Sequence, residues 1–304
     1  MMVKVDKLQK AYGNKIVLNN LCLSIPEGVV YGLVGKNGAG KTTLLNILAG
    51  ISEATSGECM VFGEKVSKGQ YSSSVLSYLP DLPNFYDYLT VQEYISFILS
   101  GQNKKMGSLP KDLETKYLEL GLSGNTRIKA LSRGNKQKLG IFVAVITKPK
   151  LLILDEPTSA LDPVGRRDVM SLIRDLRNQG ITILFSTHIL SDLELVCDKI
   201  GFLHNGAIQK EVDMNANADG DEAVEIAFST ADETVGLSEF ASLLPGYTID
   251  QTPERNRIIC KPCNGSIDQK EFLSAISASD MSISSIKKTT KKNLEAIMME
   301  VLSE

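Results

Sequence analysis

Three short apolar runs without polar alternation lie in the first two thirds of the chain. They are Val29–Val34, Leu151–Leu154 and Ile181–Phe185. A strand with no polar side is covered on both faces, as in a parallel sheet packed between helices. Residues 43–49 have a helical pattern that ends before Gly50, a residue suited to close a helix. The pattern predicts an α/β fold.

A glycine-rich segment joins the first apolar run to this helix. It matches G-x-x-x-x-G-K-[ST], a spacing that lets backbone N–H groups converge on phosphate oxygens at a helix N-terminus. An ordinary glycine turn is the alternative, but the lysine and threonine in register favour a phosphate site. Lys41 is expected to reach the β- and γ-phosphates, and Thr42 to ligate Mg²⁺. The predicted phosphate-binding residues are Gly35, Lys36, Asn37, Gly38, Ala39, Gly40, Lys41, Thr42 and Thr43.

Two acids follow the second apolar run. Asp155 and Glu156 come directly after Leu151–Leu154. At the carboxyl end of a parallel strand, Asp155 would meet Mg²⁺ at the sheet edge that also carries the phosphate loop. Glu156 would polarise the attacking water. The alternative is a buried strand that ends in two solvated acids.

Four further motifs occur in a fixed order around these two: Tyr12, Leu131–Asn135, Ser159–Asp162 and Ser186–His188. Together they resemble the nucleotide-binding subunits of ABC transporters, over roughly residues 3–211. The resemblance implies a P-loop NTPase domain with an antiparallel β-subdomain and a helical subdomain.

The resemblance also implies roles for residues of three of these motifs, and Ser159–Asp162 matches the loop after the Mg²⁺ strand. Tyr12 would stack on adenine, and His188 would contact the γ-phosphate. Ser132 and Gly134 would bind the ATP of a partner chain, because two such domains face head to tail with ATP between them. Each residue has a structural alternative: Tyr12 as a strand aromatic, Ser132 as a helix cap, and His188 as a structural polar residue. The implied reaction is Mg²⁺-dependent ATP hydrolysis, with Glu156 as general base or water polariser.

Two positions depart from the family pattern. Asp81 stands where a glutamine is usual, and Arg133 stands where the signature normally has glycine. A shorter, charged Asp81 would contact Mg²⁺ through water. Arg133 would either aid phosphate contact or slow closure. The sequence therefore predicts ATP binding more firmly than rapid hydrolysis.

Composition narrows the class of protein. A net charge of −3 gives no general attraction to nucleic acid, and no apolar run approaches the roughly 20 residues needed to cross a bilayer. The N-terminus lacks the layout of a secretory signal. We therefore expect a cytoplasmic protein that reaches the inner face of the cell membrane through a partner.

The composition of the chain changes beyond residue 211. A polar stretch, 212–221, predicts a linker, and 222–304 predict a small α+β ferredoxin-like domain with the order βαββαβ and a last helix. The predicted strands are 223–228, 247–250, 257–261 and 282–286, and the predicted helices are 232–244 and 268–278. This segment resembles the C-terminal extension of some exporter subunits, where regulation, dimer contact and packing are the alternatives. Cys260 and Cys263 have C-x-x-C spacing without a second ligand pair, which favours chance.

Thr90 and Glu93 form a capping box before a stretch rich in aromatic residues. In the family this region receives a helix of the permease, although aromatic residues at helical spacing are more often core. The sequence predicts an ATPase subunit that powers a separate multi-spanning permease, for export, as one of two such subunits. The alternative is a non-transport or regulatory ATP-binding protein with a soluble partner.

Overall fold

The computed structural model describes residues 1–69, 75–101, 118, 120–215, 223–228, 243–251, 257–263, 269–278, 283–289 and 294–303. The chain forms two compact units. The first unit comprises residues 1–214 with 295–304, and the second comprises residues 215–294. No helix in the described ranges is long and apolar enough to cross a membrane.

The first unit combines two sheets with helices. Its elements, in chain order, are β1 (Val3–Tyr12), β2 (Lys15–Ile25), β3 (Val30–Val34), α1 (Lys41–Leu48), β4 (Ser56–Val61), β5 (Glu64–Lys65), β6 (Leu76–Leu79), α2 (Val91–Ser100), α3 (Arg133–Ile146), β7 (Leu151–Asp155), α4 (Pro163–Asn178), β8 (Thr182–Thr187), α5 (Leu190–Val196), β9 (Lys199–His204) and β10 (Ala207–Asp213). The last helix, α7 (Leu294–Ser303), belongs almost entirely to this unit.

A six-stranded sheet forms the centre of the first unit, in the order β10-β9-β3-β8-β7-β6. All neighbours are parallel except β10, which runs antiparallel to β9. Every residue of β3, β7 and β8 is buried, as the apolar runs predict. The carboxyl ends of these strands therefore meet at one edge.

The remaining layers are an antiparallel sheet and a helical region. The antiparallel sheet has the order β2-β1-β4-β5, and it shares a core with α1 that includes Leu8, Leu18 and Leu44. In the helical region, α2 and α3 contribute to a separate core. The capping box forms: Glu93 N donates to Thr90 Oγ1 at 3.2 Å, and Thr90 N donates to Glu93 Oε2 at 2.8 Å.

The second unit contains an antiparallel sheet with the order β12-β13-β11-β14 and one described helix. Its elements are β11 (Ala223–Phe228), β12 (Tyr247–Gln251), β13 (Arg257–Pro262), α6 (Gln269–Ala278) and β14 (Ile283–Thr289). Phe228, Ile258 and Phe272 belong to its core. Most of the helix predicted over 232–244 lies outside the described residues.

The units differ from the predicted domain division at two places. Asp213, expected in the linker, is the last residue of β10, where it pairs with Lys199. Residues 295–304, expected in the C-terminal domain, group with the first unit. There, Lys210 Nζ lies 2.7 Å from Glu300 Oε2, a contact between residues far apart in sequence that helical periodicity does not reveal.

Replacing Gly201 should destabilise the first unit. A Cβ at this position would overlap Tyr31 Oη, and the fully buried Tyr31 has no space to move away. We expect Gly201→Ala to lower the free energy of unfolding by about 1–3 kcal/mol through overpacking, measured by urea denaturation. Gly101→Ala is the control, because its Cβ would meet its nearest atom at 3.5 Å. Equal losses in the two variants would contradict this account.

Candidate nucleotide site

The candidate site is built at the carboxyl ends of β3, β7 and β8. Strand register places Val34 beside Thr187 and Asp155 beside Ser186. The glycine loop, which follows Val34, therefore begins at the level of both acids. This register therefore brings the loop and Asp155 to the same edge of the sheet, as the sequence predicts.

The loop approaches neighbouring segments so closely that side chains are excluded at two glycines. Gly40 has a φ of 109°, and a Cβ there would lie 2.7 Å from Leu18 Cδ2. A Cβ at Gly35 would overlap the carbonyl oxygen of Leu203. Lys41 is buried, and its ammonium donates to Gly35 O at 2.7 Å. The start of the loop is thus tied to the ammonium group, next to the N-terminus of α1, a position suited to phosphate.

A hydroxyl and a carboxylate meet beside the loop. Thr42 Oγ1 donates to Asp155 Oδ2 at 2.7 Å, and Ser186 Oγ donates to Asp155 Oδ1 at 2.5 Å. The Asp155 side chain is almost fully buried. Hydroxyl and carboxylate oxygens are the ligand types that Mg²⁺ takes, together with waters and phosphate oxygens. The donor set of Thr42 and Asp155 therefore fits the ion that the sequence predicts.

Glu156 occupies a strained backbone position, with a φ of 47°. Its N–H is held by Ser186 Oγ at 3.0 Å, and its carboxylate lies 3.4 Å from Lys41 Nζ and 2.9 Å from His188 Nδ1. The structure thus brings together Lys41, Glu156 and His188. An acid next to an imidazole at a phosphate loop is an arrangement able to orient and polarise water.

Ser186 is a residue of the site to which the sequence analysis gave no role. It donates to Asp155 and accepts from Glu156 N, so one side chain contacts both acids. Its position directly before Thr187 and His188, within the same motif, could have indicated a role in the site. The pairing with Asp155 comes only from strand register, which the sequence does not reveal.

The structure gives Tyr12, Ser132 and Gly134 neighbours other than Lys41 and Glu156. Tyr12 is 53% exposed at the end of β1, with Lys10 Nζ 4.8 Å from its ring centre. Ser132 caps α3 by accepting from Asn135 N at 3.2 Å, which confirms the capping alternative. Their contacts with nucleotide stay predictions.

The two departures from the family pattern contact each other. Asp81 Oδ1 accepts from Ser159 Oγ at 2.8 Å and lies 3.5 Å from Arg133 Nη2. Tyr78 lies near this group. Its burial, aided by the Asp155 and Asp81 carboxylates, raises the pKa of Tyr78 well above its ordinary value. Strand register also places Asp81, two residues after Leu79, near the sheet edge that carries Asp155.

Cys260 of the second unit is poorly placed for thiol chemistry. Cys260 is fully buried on β13, and burial raises the pKa of its thiol to about 12. Within the described ranges, no group of three or more His, Cys, Asp or Glu residues could hold a metal ion. A thiol that stays protonated is a poor nucleophile and metal ligand.

Sequence comparisons place this chain among known proteins. The family model described as ABC transporter matches residues 18–159. The uncharacterized ABC transporter ATP-binding protein YxlF of Bacillus subtilis is 39% identical over 209 residues, which are 68% of this chain and 69% of YxlF. The lantibiotic transport ATP-binding protein SrtF of Streptococcus pyogenes is 37% identical over 220 residues, 71% of this chain and 93% of SrtF. The bacitracin transport ATP-binding protein BcrA of Bacillus licheniformis is 36% identical over 216 residues, 69% of each chain.

Solved structures agree with the sequence comparisons. An ATP-binding subunit of an ABC transporter has a TM-score of 0.62 at 27% identity, over 71% of this chain and 91% of that one. A dimeric ATP-binding cassette bound to ADP and Pi has a TM-score of 0.63 at 24% identity, over 71% of this chain and all of that one, and supports the fold. One assignment follows from three findings. They are the P-loop cassette fold, the glycine loop with the two acids beside it, and relatives that this chain matches over more than two thirds of their length. The chain belongs to the ATP-binding proteins of the ABC transporter family.

Proposed function

We propose that this chain is a Mg²⁺-dependent ATPase subunit that powers a separate membrane permease, with export as the direction. One observation carries the proposal: the bonded group of Thr42, Asp155 and Ser186 adjoins Glu156 and His188 at the phosphate loop. The names of SrtF and BcrA, which are transport ATP-binding proteins, support the coupling to transport.

The nucleotide would be held by the loop and by one aromatic ring. Backbone N–H groups of residues 35–43 face the phosphates in this proposal, and Lys41 pairs with the β- and γ-phosphates. The exposed ring of Tyr12 is available to stack on adenine. The buried ammonium of Lys41 is already desolvated, so its attraction to phosphate is weakly screened.

Thr42 and Asp155 would hold Mg²⁺. When bound, the ion supplies positive charge that neutralises phosphate oxygens. Ser186 keeps Asp155 oriented through Oδ1, while Oδ2 faces Thr42. Asp81 would contact the ion through water, because its side chain is shorter than the glutamine usual at this position and its Oδ1 accepts from Ser159.

Glu156 would take up the proton of the attacking water. Its carboxylate adjoins both Lys41 and His188, and His188 would also hold the γ-phosphate. The bonds that Glu156 N donates to Ser186 Oγ and O fix the backbone at Glu156, so the carboxylate is positioned before substrate arrives. Such preorganisation reduces the reorganisation needed in the transition state.

A complete site would need a second ATP-binding subunit. Ser132 caps α3 and Gly134 lies in its first turn, and the N-terminus of a helix attracts anions. They would bind the ATP held by the phosphate loop of the second chain. ATP would then join the two subunits, and hydrolysis would separate them.

The permease would dock on a groove of about 640 Å³ beside α2. Tyr88 and Phe97 line it and are 71% and 50% exposed, whereas the neighbouring Phe85 packs against the helical core. Large exposed aromatics are typical of protein interfaces. Through this contact the subunit would lie at the inner face of the membrane. The groove is lined by Tyr86, Tyr88, Leu89, Gln92, Glu93, Ser96, Phe97 and Ser100.

The second unit would be a ferredoxin-like accessory domain. Its strand order, β12-β13-β11-β14, supports this assignment, because the two strands that begin and end the motif are adjacent in the sheet. The proposed division is an ATP-binding domain to residue 213, where β10 ends, a linker up to residue 221 and an accessory domain from 222, with α7 grouped with the first unit.

Glu156→Gln should yield a trapped dimer. The amide keeps the size of the side chain but removes the base, so we expect turnover at least about 100-fold slower with ATP still bound. Phosphate release and light scattering with and without ATP are the measurements. Glu156→Gln combined with Lys41→Ala is the control, which we expect to stay monomeric. Normal turnover in Glu156→Gln would remove Glu156 from the mechanism.

Affinity purification of Glu156→Gln with ATP from detergent-solubilised cells should capture a multi-spanning membrane protein in stoichiometric amount. Adding Phe97→Glu should lower this capture at least about tenfold, because a charge in an interface centre is costly, while the ATP-dependent dimer persists. Leu195→Glu is the control, since Leu195 is 49% exposed on α5, outside the groove. Capture of ribosomes or DNA, or of no membrane protein, would favour a soluble partner.

A further inference from the structure

One carboxylate oxygen joins three segments of the first unit. Asp81 follows β6, whose residue Leu79 pairs with Leu154 of β7, so Asp81 lies at the edge that carries Asp155. Its Oδ1 accepts from Ser159 Oγ at 2.8 Å and lies 3.5 Å from Arg133 Nη2. The oxygen thus links the segment after β6, the turn after β7 and the first residue of α3.

The turn that Asp81 contacts carries Glu156 at its start. Ser159 N donates to Glu156 O at 3.2 Å, so Ser159 closes the turn that Glu156 begins. The same turn is in close packing with α3, because a Cβ on Gly134 would lie 3.1 Å from Ala160 O. Asp81 therefore bonds across a junction where the backbone of α3 already meets the turn of the proposed base.

The negative charge of Asp81 faces a positively charged region at this junction. Arg133 places a guanidinium in the first turn of α3, where the helix dipole is positive and the turn contains no acidic residue. Asp81 supplies the missing negative charge from another segment. The side chains of Arg133 and Asp81 are 60% and 41% exposed, so the pair is modest in strength and sensitive to salt.

We propose that Asp81 is a positioning residue that fixes the first turn of α3 against the turn that begins at Glu156, with Arg133 as its partner. The inference rests on the proposed ATPase function, since it concerns how Glu156 and the α3 terminus are held for turnover. The two departures from the family pattern form one unit, in which the charge of Arg133 requires the charge of Asp81.

Steady-state ATP hydrolysis by Asp81→Asn, Arg133→Gln and the double variant of the full chain tests the pair. Asp81→Asn keeps an oxygen that accepts from Ser159 but removes the charge that faces Arg133. We expect each single variant to lower kcat about two- to fivefold, the scale of an exposed ion pair, with the KM for ATP unchanged. The double variant should match the single variants, and the difference from the unmodified chain should disappear at about 1 M salt.

Asp87→Asn is the matched control. Asp87 pairs with Lys136 of the same helix at 2.9 Å, one turn further from the helix start. We expect this variant to retain kcat. Equal losses in Asp87→Asn and Asp81→Asn, additive losses in the double variant, or unchanged kcat in the single variants would overturn the inference. Absence of ATPase activity in the unmodified chain would instead count against the proposed function, so the two failures are distinguishable.

Discussion

The site depends on the hydrogen bonding of one buried carboxylate. Asp155 is 1% exposed, and its two oxygens accept from Ser186 and Thr42. A buried carboxylate without such partners would lower the stability of the fold by several kcal/mol. The strand register that places Ser186 and the loop geometry that places Thr42 therefore both stabilise the charge of Asp155. A slip of β8 against β7 by one residue would turn Ser186 away from Asp155. The positions of the phosphate loop, the sheet edge and the acids therefore depend on one another through Asp155.

The segment from β8 into α5 extends this constraint to Glu156. Ser186 holds the backbone of Glu156 from one side, and Asp192 accepts from Thr158 Oγ1 at 2.7 Å on the other. Asp192 also accepts from Arg166 Nη2 of α4 at 2.8 Å, so its buried charge is satisfied. A left-handed backbone at a glutamate persists only where neighbouring contacts determine it, and these bonds flank Glu156 on both sides.

The sequence predicted the parts of the site that lie in local motifs. It did not predict the contacts between segments that are distant in sequence. The glycine loop and the acids that follow an apolar strand determine each other's position through parallel-sheet geometry, so the proximity of Thr42 and Asp155 was predictable. The contact of Asp81 with Arg133 was not, because packing of α3 against the turn after β7 creates it. Helical periodicity likewise identified α7 but could not show that Glu300 meets Lys210.

The structural role of Ser132 is compatible with the role in ATP binding that we propose for it. Its Oγ accepts from Asn135 N, which satisfies an N–H at the start of α3. A hydroxyl that accepts in this way keeps its own proton for donation, so capping does not compete with a bond to phosphate. At Gly134 a Cβ would lie 3.1 Å from Ala160 O, so a side chain there would press on the turn after β7. The cap at the start of α3 and the proposed phosphate binding are therefore compatible in one helix terminus.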